Sequence, residues 1–292
     1  MLDAGAIQPR SLLEDALDAE FSPSRVMLAC DLRPARPGVA ERLIGSHWSA
    51  LRGVRAELEA ARAVSHGPLL QLLDDLPVVL VVADWAWSRW PALLHPEEAA
   101  RRRRHLARFE GVCVGFRPGS SALDSDGSYQ EDQVGLALPG VHGPDADAPG
   151  NWHAPVEIAG VSLRRARCID VWREAGAVHV EATFQDSATR SAGGRGVVHE
   201  YTVGLVASGA LARIARVQAI PHVLPFPECL GALAHVDELL GTPCADLREA
   251  VPRILARTRG CTHLNDALRA LAAVPELLGA LDTGLPDQAN SA

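Results

Sequence analysis

No lysine occurs in the 292 residues: all 28 basic side chains are arginine. A lysine Schiff base is therefore ruled out, and with it pyridoxal-phosphate chemistry and amine-type aldol cleavage. Carbon–carbon chemistry must use acid–base groups, a metal or an external cofactor. The P-loop lysine is missing too, and G-x-G-x-x-G does not occur. The six cysteines (Cys30, Cys113, Cys168, Cys229, Cys244, Cys261) form no C-x-x-C pair. A chain this long needs no disulfide framework, so a reducing cytoplasm is expected. The longest apolar run, LPVVLVVA at 76–83, falls far short of the ~20 residues that cross a bilayer. The N-terminal MLDAGAIQPRSLLEDALDAEF is acidic and lacks the apolar core of a signal peptide.

What is present reads as globular: 48% hydrophobic and 22% charged residues. A net charge of −8 argues against nucleic-acid or anionic-membrane partners, whose footprint is basic. The one basic run, Arg101 to His105, follows an acidic helix start and reads as a solvated helix face.

Periodicity gives a short helix over 11–21, a strand over 25–32 and helical patterning over 38–64. It then gives a buried strand over 77–87 running into an aromatic loop, a helix over 96–109 and a strand over 111–116. A long Gly/Pro/Asp-rich segment follows, from 117 to 155. From Val161 the texture changes to four strands in antiparallel meander, then helices near 229–240, 245–257 and 262–280. The expected class is α+β, an antiparallel sheet packed and wrapped by helices. Residues 1–24 read as an N-terminal extension and 25–292 as a single domain, with a sub-boundary placed in the loop 117–160. A faint echo between VMLACDLR…IGSHWSALRGV and VEATFQDS…RGCTHLNDALRAL raises the idea of two similar halves.

The densest chemistry is in GCTHLND. A helix starting at Thr262 would use that hydroxyl as N-cap. Leu264, Leu268 and Leu271 would form its apolar stripe. His263 and Asp266 fall at i and i+3, where the carboxylate could orient the imidazole. The helix N-terminus would favour a Cys261 thiolate or a substrate phenolate, and would hold His263 neutral. A capped helix with a buried cysteine explains the same residues without chemistry. In VVHEY, alternation sends His199 and Tyr201 to one strand face and Glu200 to the other. Glu200 inward would be a general base; His199 and Tyr201 inward would be donors to an oxyanion.

Other segments offer binding groups. Trp85, Trp87 and Trp90 flank Arg89 in ADWAWSRW, suited to stacking on a flat aromatic ligand, although core packing serves equally. Arg117 opens a loop, RPGSS, that could hold an anion. Glu228 sits at a helix start in HVLPFPEC, as cap or as acid. Trp152 and His153 in NWHAP read as a lid. Metal ligands are available in His199, Glu200, Glu228, Cys229, Cys261 and His263, but none falls into a zinc spacing such as H-E-x-x-H. The expectation is therefore no metal and no cofactor. A Cys261–His199 nucleophilic pair is a minority reading.

VVHEYTV, HVLPFPEC, LLGTPCADLREAV and above all RGCTHLNDALRALAAVPEL resemble the DUF2889 family, bacterial proteins of unknown function. LLDDLP, ADWAWSRW, VCVGFRPGSSAL, NWHAP and RRARCIDV resemble its long, actinobacterial-type form, so the likeness is expected over about 25–280. The resemblance implies catabolism of aromatic or other apolar compounds, and cofactor-free cleavage of lignin-derived dimers. The expected function is a cofactor-independent carbon–carbon lyase that releases formaldehyde by retro-aldol cleavage. Glu200 or His263 would be the base, Arg89 or the helix N-terminus would hold the phenolate, and Asp266 would orient His263. The alternatives are a metal-dependent hydrolase and a non-catalytic carrier of apolar ligands. The expected partner is a small aromatic or apolar substrate, with a homo-oligomer left open.

Overall fold

The computed structural model describes residues 15–64, 67–90, 93, 107–124 and 158–282. The chain divides into two compact units, residues 1–85 and 86–292. This division falls between Trp85 and Ala86; residues 125–157 of the loop in which the sequence placed a sub-boundary lie outside the described residues.

In the first unit, β1 (Ala16–Phe21) pairs antiparallel with β2 (Met27–Arg33). The helix expected over 11–21 is thus a strand from Ala16 onward, because its backbone groups find a partner in β2. The helical stretch 38–64 is interrupted, giving α1 (Pro37–Leu43) and α2 (Leu51–Ala60). Gly45, at φ +85°, makes the left-handed turn that ends α1, and its N–H bonds back to the Met27 carbonyl at 2.8 Å. α3 (Pro68–Ser88) replaces the strand expected over 77–87. A short continuous apolar run fits a buried helix as well as a strand, and here it extends an eligible helix on its N-terminal side. Met27, Leu32, Val39, Leu43, Leu51, Leu58 and Leu70 close this unit's core.

The second unit carries β3 (Leu163–Glu174), β4 (Ala177–Thr189), β5 (Arg195–Ser208) and β6 (Arg213–Val223), antiparallel in that order. The expected meander and the α+β class are what the structure has. Val178, Val180, Ala182 and Phe184 on β4 share a core with Tyr201, Val203, Leu205 and Ala207 on β5. Over this face pack a 3₁₀ run (Pro227–Leu239), the helix Leu247–Ile254, the helix Thr262–Ala270 and the helix Val274–Asp282. The strand expected over 111–116 is instead a turn, in which the Gly111 N–H bonds the Phe116 carbonyl at 2.7 Å. The Val114 N–H, at the start of a 3₁₀ turn (Val114–Phe116), bonds the Gly260 carbonyl at 2.9 Å. Among the described residues the first unit has a two-stranded sheet and the second a four-stranded one, which does not support the idea of two similar halves.

Candidate functional site

The segment GCTHLND is built to hold a fixed shape. A Cβ on Gly260 would come within 2.5 Å of the Leu255 carbonyl oxygen and 2.8 Å of Asn265 Oδ1, so only glycine fits. Asn265 donates from Nδ2 to that same Leu255 carbonyl at 3.0 Å. Cys261, in extended conformation, is the residue that precedes the helix, and Thr262 is its first helical residue rather than the cap. Leu264, Leu268 and Leu271 are fully buried, as the stripe requires. The Thr262 hydroxyl lies 3.3 Å from His263 Nδ1.

The sheet supplies the other side. His199 on β5 stands opposite Asp186 on β4, at a bulge between Asp186 and Ser187. His199 and Tyr201 share the helix-facing side, with ring centroids 6.3 Å apart. Glu200 points to the opposite face, where its Oε2 accepts from Gln185 Nε2 at 3.1 Å. Glu200 is therefore not in this cluster. The imidazoles of His199 and His263 stack, with centroids 3.5 Å apart and planes 14° from parallel. His263 Nδ1 is 4.0 Å from the Cys261 sulfur, and its Nε2 is 3.5 Å from Asp186 Oδ2. One ligand atom each from His199, Cys261 and His263 lie within 4.8 Å of one another, a grouping that could hold a metal ion. His199 Nδ1 is buried without a hydrogen-bond partner among the described residues, whereas His263 Nε2 has the Asp186 carboxylate and the Tyr201 hydroxyl has the Cys261 sulfur beside it.

A charged network braces the cluster. Arg165 on β3 donates to both oxygens of Asp186, Nε to Oδ1 at 2.9 Å and Nη2 to Oδ2 at 2.7 Å. Its third nitrogen donates to Asp266 on the helix at 3.0 Å. Asp266 also accepts from Arg269 at 3.4 Å. The expected role of Asp266 as the carboxylate orienting His263 thus passes to Asp186, because the Asp266 oxygens are taken up by two guanidiniums. Reading single segments missed Asp186 and Arg165. Counting outward from the turn at Gly193–Gly194 would have placed Asp186 near His199, apart from the bulge.

Burial dominates the electrostatics. Both imidazoles are held well below the usual histidine range by burial; proximity of His263 and the Arg165 charge add to this for His199, as does Arg165 for His263. The Cys261 thiol is pushed up to about 12 by burial and then by the Cys113 thiol, against the Tyr201 hydroxyl and the N–H groups of Leu264 and His263. The thiolate expected from the helix N-terminus is therefore outweighed by desolvation. The Tyr201 phenol is pushed up by burial and by the neighbouring thiols, Cys261 first.

Trp85 is buried at the end of the first unit and Trp87 is exposed on α3. Arg89 follows that helix and is half-buried. Trp90 donates its indole N–H to the Thr189 carbonyl at 3.0 Å, three residues beyond Asp186. Arg117 is exposed. The anion held by the RPGSS loop is the protein's own: Glu228 accepts from the Ser121 N–H at 2.9 Å and from its hydroxyl at 2.8 Å. These bonds hold the Glu228 carboxyl below the usual range, which makes it a cap. Trp152 and His153 lie outside the described residues.

No curated protein and no solved structure matches the chain. One family does, over residues 163–276, described as a protein of unknown function, DUF2889. That segment, which matches the family model, holds the whole meander together with His199, Cys261 and His263 and the network behind them.

Proposed function

We propose that this protein is an enzyme working at the His199–Tyr201–Cys261–His263 cluster, and that it is a carbon–carbon lyase that releases formaldehyde from a hydroxymethyl group on a bulky aromatic compound. One observation carries the reading: His199 Nδ1 is buried in the cluster without a hydrogen-bond partner among the described residues, next to a second imidazole and a thiol. Such an atom costs about 1–3 kcal/mol, and a site kept only for packing would have replaced or satisfied it. The lack of lysine removes the Schiff-base route to the same cleavage. The aromatic substrate class rests on the family resemblance alone.

In this reaction the substrate hydroxyl gives up its proton at the His199–His263 pair. The carbon–carbon bond then breaks as the C–O bond becomes the carbonyl of formaldehyde. The released electron pair passes into the conjugated remainder of the substrate, which is later reprotonated. The Tyr201 hydroxyl, beside Cys261, donates to the oxygen on which that charge gathers. Glu200, on the other face, takes no part.

The test is formaldehyde release from phenolic dimers that carry a hydroxymethyl group, using the purified chain. Release that falls about 100-fold or more in His263→Ala supports the reading. Tight binding of such dimers without turnover, unchanged in His263→Ala, would replace it with the carrier reading.

A further inference from the structure

We propose that His199, Cys261 and His263 bind a zinc-class divalent cation, with one coordination position left for substrate. The proposal rests on this cluster being the functional site, but not on the reaction assigned to it.

The residue types are those that a borderline-soft ion selects: one sulfur and two imidazoles. They come from two elements that the Arg165 network holds together, His199 from β5, and Cys261 and His263 from the helix start. In a tetrahedral zinc site, bonds of about 2.0–2.3 Å place ligand atoms roughly 3.3–3.6 Å apart. Here Cys261 Sγ and His263 Nδ1 are 4.0 Å apart, and all three ligand atoms lie within 4.8 Å. Because the two rings stack nearly parallel, binding an ion requires them to unstack, rotating by tens of degrees so that their in-plane lone pairs converge. A second observation points to a ligand. His199 Nδ1 is buried at the cluster without a hydrogen-bond partner among the described residues, on a residue 5% exposed.

The surroundings match those of metal-bound imidazoles. A ligating histidine usually gives its other N–H to a carboxylate, which fixes the tautomer. Asp186 stands 3.5 Å from His263 Nε2, on the side away from the sulfur-facing Nδ1. Asp186 is itself clamped by two bonds from Arg165.

Three protein ligands leave a fourth position, the pattern of catalytic rather than structural zinc. An ion there acidifies a bound hydroxyl, as it lowers bound water to a pKa of about 7. It would then replace the imidazoles as the means of forming the substrate alkoxide, the proton leaving to solvent.

The experiment is elemental analysis of the full chain after loading with excess zinc and gel filtration, with X-ray absorption at the zinc edge. About one zinc per chain is expected, with one sulfur and two imidazoles around it. Cys261→Ser and His199→Gln should weaken binding about 100-fold or more, with Cys168→Ala, on β3, as the thiol control that keeps the metal. A folded wild-type chain with no retained zinc overturns the proposal. So does a zinc sphere without sulfur or with several sulfurs, which would point to Cys113 or Cys229; this result stands even if the variants fail to fold. Formaldehyde assays separate the two readings. Zinc in this sphere with no formaldehyde removes the lyase and keeps the site. Undiminished release from metal-stripped protein keeps the lyase and removes the metal's role in it.

Discussion

The imidazoles of His199 and His263 stack face to face at 3.5 Å, one carried by a central strand and the other by the first turn of a helix. Two cationic rings could not remain at that distance in a buried setting, so the pair is stable only with its protons off.

This has a consequence for stability in chelator-treated protein. Both groups have folded pKa values below their unfolded value of 6.5. Below about pH 6.5 the unfolded chain therefore binds more protons than the folded one. The stabilisation is complete above that pH and is lost as pH falls through it, with a slope of up to about 1.4 kcal/mol per pH unit for each imidazole. Urea denaturation at stepped pH would show the fall, and His199→Gln should flatten it. An unchanged slope in that variant would mean that other groups cause the acid sensitivity.

The Arg165–Asp186 pair is buried on both sides. Arg165→Met leaves the buried Asp186 carboxylate without its guanidinium next to the imidazoles, while Asp266 keeps Arg269. Loss of about 3–5 kcal/mol is expected by urea unfolding. Removing both partners, as in Arg165→Met with Asp186→Leu, should restore part of it, since two buried charges then disappear together. A single variant with no cost would show that water reaches the network.

Gly260→Ala drives a methyl into the Leu255 carbonyl and the Asn265 side chain. A loss of about 1–3 kcal/mol is expected, as for other overpacked sites. Cys261 follows directly, so formaldehyde release should drop more than stability does. Activity kept at the wild-type level would show that the exact position of Cys261 is unimportant.

Neighbours on β5 should behave oppositely. Tyr201→Phe removes one oxygen from the cluster and should slow release by roughly 100-fold, in the range of a lost oxyanion donor. Glu200→Gln keeps its shape and its place opposite Gln185, and should leave the rate within about threefold, as expected of a group that contributes nothing to the transition state. Equal losses in both would return Glu200 to the active centre.

How much of this was readable in advance depends on how local each cause is. The meander from Leu163 to Val223 follows from alternation and from glycine-marked turns, which act over a few residues, and so does the leucine stripe of the helix Thr262–Ala270. The apolar run at 77–83 was not decided locally: strand and helix bury it equally well, and its continuity with Pro68–Leu76 made it a helix. The same limit applied to Gly260, whose need for no side chain comes from Leu255 and Asn265 packed against it.

The sequence by itself determined the inventory: no lysine, an α+β order of elements, and His199 and Tyr201 on the strand face opposite Glu200. Only the tertiary structure decided which of these groups meet. Register at a bulge put Asp186 beside His199, and one guanidinium reaching from β3 to Asp266 fixed the helix over the sheet. Burial then reversed the electrostatics expected of a helix N-terminus at Cys261, because desolvation depends on everything packed around a group, and no short stretch of sequence contains that.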